Sequence, residues 1–474
     1  MSRSMPPAPF ARRVWVGLAV ALAGAVIGLG AAAAPLARAL DGQEATFQKL
    51  SLFAEALRHI EANYVLPVRP EQLIYGAIGG MVATLDPHSE FLDPAQYREF
   101  LSDSEGRFAG IGVEIAVRDG WLTVLSVFRG GPAERAGLRP GDRFVTLDGR
   151  PARDMRIADA VRLMRGEPGT TVHVQVRRED AEHTLGVTLT RAYIDTPSVE
   201  ARVLPGGVIY LRIQRFQSTT ADEVRVALDR ALGAMHRAGA ERGVLLDLRD
   251  DGGGLLQQAV RVADAFLRAG EIVSTRGRAG EPLERWEAHA RGTRPAWPMV
   301  ALINGYTASA AEILAGALQD HRRATLVGTR SFGKGSVQRL IELSDGSALK
   351  LTTATYFTPS GRSIQARGIE PDIRVDGGPE HASAGSPAAQ TGVPAPPKLR
   401  AEPDGDTAAP REQEAALPRH LPGAGERPAP RGEVAPARDA VRVEPSRGAG
   451  ESARLFPRDP QARVGYETLR AMLR

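Results

Sequence analysis

From Val208 to Gly328 the chain alternates short apolar runs with amphipathic stretches, and no other feature limits its fold so tightly. VIYLRI (208–213), VLLDL (244–248), PMVALIN (298–304) and ATLVG (324–328) have almost no polar residues, the pattern of strands covered on both faces. Between them Thr220 to about Arg237, Leu255 to Leu267 and Ala310 to Gln319 carry apolar residues at helical spacing,. Strand followed by helix, repeated, implies an α/β core with a mixed, largely parallel sheet. ALKLTTATYF (348–357) is expected to close the same set as a long strand.

Two residues in this core have the makings of a reactive pair. Ser309 lies in ALINGYTASAAEI (301–313), where strand gives way to helix, and its oxygen would sit at the positive end of a helix dipole,. Lys334 lies in SFGKGSVQ (331–338), flanked by Gly333 and Gly335 and just after the strand at 324. A serine hydroxyl needs a neighbour to take its proton, and a lysine can do so once burial or nearby positive charge lowers its pKa. Gln338 would reach the lysine amine through its side-chain carbonyl if that stretch turns back. Spacing alone equally suits a helix N-cap serine and a solvated lysine.

With LDLRDDGGG (246–254), these segments resemble the carboxyl-terminal processing peptidases, or tail-specific proteases, from about residue 45 to 376. The resemblance implies a serine endopeptidase with Ser309 as nucleophile, Lys334 as general base and Gln338 orienting the lysine. It also implies an oxyanion hole made of the backbone N–H groups of Gly253 and Ala310. Glycines at 252–254 suit that role, because they let backbone approach a reacting carbonyl. A strand-to-helix turn that merely needs positive φ would explain them as well. The chain departs from the family at Asp250, Asp251 and Gly252, where two asparagines and a proline are usual. Carboxylates there would raise the pKa of Lys334 unless Arg249 and other bases neutralise them or they face solvent.

Between Gly110 and about Arg178, GIGVEIAV, GGPAERAGLRPGDRFVTLDGRP, an apolar helix (Ile157 to Met164) and VHVQVRR follow in the order of a PDZ domain. Gly110, Ile111, Gly112 and Val113 would bind a peptide's terminal carboxylate through backbone amides while the next strand pairs with the peptide. A β-rich spacer that binds nothing is the alternative. Arg165, after the helix, occupies a position that in this family can couple peptide occupancy to the active site; a solvated helix-terminal arginine is the plainer reading.

Arg3, Arg12 and Arg13 precede an apolar run from Val14 to Pro35, which marks the chain for export,. Two readings stay open: a signal cleaved after Ala39, and a retained anchor, since about twenty apolar residues span a bilayer. With no cysteine, disulfides, Cys-ligated metals and an N-terminal lipid anchor are excluded,. The expected layout is a signal or anchor (1–40), a helical region (41–107), an inserted β-rich PDZ domain (108–195) and the protease core (196–376). A Pro/Ala-rich linker expected to be disordered (377–450) and a C-terminal helix (451–474) follow,.

A formal net charge of +4, spread among acids, argues against nucleic-acid binding,. No HExxH and no GxSxG occurs, so neither a zinc protease nor an α/β-hydrolase is indicated, and no cofactor or metal is expected. The first functional reading is an endopeptidase of the periplasm or cell envelope that grips unstructured or misfolded C-termini. A catalytically silent PDZ adaptor for envelope proteins is the second. Partners in keeping with the resemblance are a second copy of the chain, an activating adaptor lipoprotein and, if the anchor is kept, the inner membrane.

Overall fold

The computed structural model describes residues 48–179, 183–235, 242–376, 413–423, 441–442 and 450–474. The expected export segment lies outside the described residues. The chain divides into two units, Met1–Met81 and Val82–Arg474. In the first, residues 48–63 are helical and a second helix starts at Pro70. Leu50, Phe53 and Ile60 of this unit are exposed.

In the second unit the core is a seven-stranded sheet. Its order is Val199–Leu204, Val208–Ile213, Gly243–Asp247, Met299–Ile303, Thr325–Gly328, Ile373–Arg374, Val441–Arg442. The first pair is antiparallel and every other pairing is parallel, as the alternation predicts. The strands Gly243–Asp247 and Met299–Ile303 are buried throughout, because helices cover both faces,. On one face lie Thr220–Met235, Leu256–Asp264 and Ala310–Asp320. The C-terminal helix Pro460–Met472 covers the other, packing Val464, Tyr466 and Leu469 against Tyr210, Leu245 and Leu302. Gly465 lets it sit close, since a Cβ there would lie 2.6 Å from Leu302 Cδ2.

Ala348–Phe357 does not join this sheet. It is the spine of a separate antiparallel sheet, flanked by Ser336–Glu342, Glu90–Leu92 and Glu271–Arg276. Length and apolar content mark it as a strand but say nothing of its partner, and here its neighbours come from distant sequence. One of them, Glu90–Leu92, falls in the region expected to be wholly helical.

The PDZ segment is a six-stranded antiparallel sheet with the helix Ile157–Met164 packed on its own core of Ile111, Leu122, Phe144, Leu147 and Val174. Its entry strand Arg107–Gly110 pairs antiparallel with its exit strand Ala192–Asp195, so both ends of the domain meet as an insertion requires. Most of the expected linker 377–450 lies outside the described residues, but 413–423 departs from the expected disorder. It holds a short 3-10 turn, Glu414–Ala416, with Glu414 fully buried. Hydrogen bonds from core residues substitute there for the apolar burial its composition lacks.

Candidate active site

Ser309 lies between the strand Met299–Ile303 and the helix Ala310–Asp320, as its sequence neighbours predict. Its φ of 55° is a left-handed conformation that serine rarely adopts,. Such a residue persists only where its surroundings hold it, and here two loops are laced together around it. Thr307 Oγ1 donates to Leu248 O at 2.8 Å, Asn304 Nδ2 to Asp250 Oδ1 at 2.8 Å, and the Ala308 N–H to Asp251 O at 2.9 Å. Gly253, at φ 94°, presses against the turn so closely that a Cβ on it would lie 2.8 Å from Ser309 Cβ and 2.9 Å from Ala310 N. Gly253 and Ala310, the two expected oxyanion-hole donors, are therefore neighbours. The Gly253 N–H is not free, however: it donates to Asp251 Oδ1 at 2.8 Å.

Glu312, which the sequence reading passed over, organises the site. Wholly buried, it accepts hydrogen bonds from the N–H groups of Ser309 (2.8 Å), Gly333 (2.7 Å) and Lys334 (2.9 Å) and from Ser331 Oγ (2.5 Å). One carboxyl thus joins the serine turn to the lysine loop. Burial pushes its pKa up to about 7, against the pull of those four donors,. The signal was present in the chain: SAAE at 309–312 is a capping-box pattern,.

The lysine loop is fixed on both sides. The Phe332 N–H donates to Thr307 O at 2.9 Å, and the Gly335 N–H to Gln365 Oε1 at 2.9 Å. Only glycine fits at 335, where a Cβ would lie 2.3 Å from Gln365 N. Burial and then the nearby Lys350 ammonium lower the Lys334 pKa to about 8, while Glu414, Glu312 and Asp86 pull the other way. The carboxylates expected to perturb it, Asp250 and Asp251, are not among these groups. Nor does Arg249 neutralise them: its guanidinium is buried on Asp247 and Asp459. Asp251 faces no solvent either; it is fully buried, Oδ2 lacks a hydrogen-bond partner, and desolvation raises its pKa well above the usual carboxylate range.

Gln338 begins a bulged stretch of the strand Ser336–Glu342. Its amide nitrogen donates to Ser336 Oγ (2.9 Å) and Thr352 Oγ1 (3.3 Å), and Thr352 Oγ1 donates in turn to Asp86 Oδ1 (3.1 Å).

In the PDZ domain Ile111 is buried, Gly112 has φ 77°, and Val113 opens the strand beside the helix Ile157–Met164. The carbonyls of Ile111 and Gly112 accept from the Ala133 and Phe128 N–H groups at 2.9 and 3.0 Å, while Gly110 pairs with Ala192. Arg165 follows the helix Ile157–Met164 as its C-cap. It forms an ion pair with Glu99 and stacks over the Phe108 ring at 5.8 Å.

Residues 207–375 match the family model of Peptidase family S41, 123–178 a PDZ domain, and 24–95 the "Activating protease CtpB N-terminal domain". The chain is 40% identical over 336 residues to a carboxy-terminal-processing protease of Bartonella bacilliformis, covering 71% of this chain and 77% of that one. With the carboxyl-terminal-processing protease of Synechocystis it shares 36% over 382 residues, 77% of this chain and 88% of the other. For carboxy-terminal processing protease CtpA of Bacillus subtilis the identity is 33% over 336 residues, 70% of each chain. With a PDZ domain, an S41 core and relatives matched over most of their length, this chain belongs to the carboxy-terminal processing serine protease family.

Proposed function

We propose that the chain is an exported endopeptidase that takes hold of unstructured C-termini through its PDZ domain and cleaves near them with a Ser309/Lys334 dyad. The observation that carries this reading is the shared attachment of the serine turn and the lysine loop to Glu312. It holds the two reactive residues in one rigid frame, which catalysis by orientation demands.

In the reaction Ser309 Oγ attacks the scissile carbonyl carbon while its proton passes to the free amine of Lys334. The resulting ammonium then protonates the departing amine as the C–N bond breaks, leaving an acyl-serine ester. Water, deprotonated by the same amine, attacks the ester carbon; the C–Oγ bond breaks, the ammonium returns its proton to Ser309 Oγ, and the new C-terminal carboxyl group is released. Burial keeps Lys334 near pKa 8, low enough to supply free amine near neutral pH. The Ala310 N–H would stabilise the oxyanion, and the Gly253 N–H would join it once it exchanges Asp251 Oδ1 for the substrate oxygen,. Gln338 would orient Lys334 through its amide carbonyl, since the nitrogen end is engaged by Ser336 and Thr352.

Arg165 would link the PDZ domain to this site through Glu99. The helix Pro94–Ser104 follows directly on the strand Glu90–Leu92, which pairs with Ala348–Phe357, and that strand pairs with Ser336–Glu342 beyond Lys334. The apolar run at 14–35 would export the chain to the periplasm or cell envelope, as cleaved signal or retained anchor,. A second copy of the chain would cover Leu50, Phe53 and Ile60,.

The deciding experiment is cleavage of an unfolded protein by the full-length chain, wild type beside Ser309→Ala, with fluorophosphonate labelling of both. Cleavage and labelling in the first alone are expected. Equal cleavage by the two would remove Ser309 from the mechanism.

A further inference from the structure

The segment 413–423 lies outside the stretch matched to the peptidase family, yet it is built onto the lysine loop. The Glu414 N–H donates to Phe332 O at 3.2 Å, two residues before Lys334. Its buried carboxyl takes Gln365 Nε2 at 2.8 Å on one oxygen and meets His88 Nε2 at 2.7 Å on the other. Gln365 is the same residue whose carbonyl holds the Gly335 N–H, so Glu414 grips the loop on both sides of the lysine. The neighbours anchor it further: Arg330 donates to Gln413 Oε1 at 2.9 Å, Gln365 to Leu421 O at 3.1 Å, and Arg419 to Ala83 O.

Burying a carboxylate is costly unless its oxygens are satisfied, and this one has partners on both. It is also a charge beside the proposed base. A negative neighbour favours the ammonium form of lysine, the form that cannot accept the serine proton. The charges acting on Lys334 are Lys350 from the strand Ala348–Phe357, Glu312 from the serine helix, Asp86 from the loop before Glu90, and Glu414 from this segment. Glu414 is the strongest of the three acidic influences, and the only one borne on a segment tethered by Pro-, Ala- and Gly-rich chain at 377–412 and 424–440. A tethered segment docks intramolecularly and can leave without unfolding the core.

We infer that residues 413–423 are a strap that restrains the enzyme: Glu414 acts as a positioning residue that clamps the 332–335 loop on both sides of Lys334, and releasing the strap frees that loop. This rests on Lys334 being the general base, so the test separates the two ideas.

The chain has four lysines, Lys49, Lys334, Lys350 and Lys398. In full-length protein with isotopically labelled lysine side chains, the Lys334 signal is identified by its loss in Lys334→Arg and titrated in wild type and Glu414→Gln. Repeating the comparison in a His88→Gln background keeps the imidazole partner of Glu414 from contributing to the shift. The Lys334 midpoint should fall by about half a unit in Glu414→Gln, giving about threefold more free amine at pH 7 and about threefold faster cleavage. Replacing 413–423 by a Gly/Ser stretch of equal length should also speed cleavage, and adding the 413–423 peptide should slow that variant again. An unchanged Lys334 midpoint, or slower cleavage on removing the strap, overturns the inference. The titration reads without turnover, so it decides the strap even if wild type fails to cleave, a failure that would count against the protease reading alone.

Discussion

Glu312 accepts the Ser309 N–H on the same carboxyl oxygen, Oε2, that takes the Lys334 N–H, at 2.8 and 2.9 Å. A helix residue one turn past the serine thereby sets where the lysine loop begins. The serine's left-handed φ, the glycine-rich loop and the buried carboxyl are parts of one frame, and each can be tested by itself.

Removing the reactive groups is the first test. Ser309→Ala should lower cleavage by about 10⁴-fold or more, and Lys334→Ala by at least about a hundredfold. Peptide binding to the PDZ domain, measured by fluorescence anisotropy with a labelled tail, should stay as in wild type. A Lys334→Ala enzyme at near wild-type rate would exclude the dyad.

Cleavage should rise with pH along a limb whose midpoint lies at about 8, because the lysine must lose its proton to act as base,. Lys350 pushes that midpoint down. Lys350→Met should therefore move the limb to higher pH and reduce the rate at pH 7, as read from initial rates across pH 6 to 10.

Glu312→Ala should destabilise the protein by about 3 kcal/mol, since four donors lose their acceptor in the interior,. Glu312→Gln tests the charge instead. The folded-state pKa of about 7 lies above the unfolded value of 4.5, so Glu312 lends stability that is full below 4.5 and is lost as pH rises through 7. Urea unfolding at pH 4.5 and pH 8 should show a larger fall for wild type than for Glu312→Gln.

Gly253→Ala would place a Cβ 2.7 Å from Ala308 O in a conformation with φ 94°. The left-handed backbone alone costs about 1–2 kcal/mol, and the contact must displace the Ser309 turn. A loss of about a hundredfold in kcat is expected, with the melting temperature showing that the fold survives.

Arg249→Ala would leave Asp247 and Asp459 without their buried cation. A loss of about 3–5 kcal/mol follows. Because Asp459 caps the C-terminal helix by accepting the Ala462 N–H at 2.9 Å, that helix should become the first site of limited proteolysis.

Much of this could be read from the chain because the signals are local. Apolar runs separated by amphipathic stretches foretold the central strands and their largely parallel pairing, and Ser309 at a strand-to-helix junction foretold its place at the head of Ala310–Asp320. The PDZ turn motifs did the same for the inserted domain. Asp250 and Asp251 show where such reading stops. Their place in the LDLRDDGGG motif suggested an influence on Lys334, whereas the acids that act on it come from residues 86, 312 and 414.

Period and composition therefore settled the central strands and helices, since those depend on neighbours a few residues away, but missed the strand Glu90–Leu92 and the turn Glu414–Ala416. Partner choice did not follow from them. Ala348–Phe357 reads as a strand in any sheet, yet only the fold pairs it with Glu90–Leu92 and Ser336–Glu342. Likewise Glu414 is one acid in a polar tail until packing sets it between His88 and Gln365. Burial and charge at a site are sums over everything that surrounds it, and those surroundings exist only once distant segments have met.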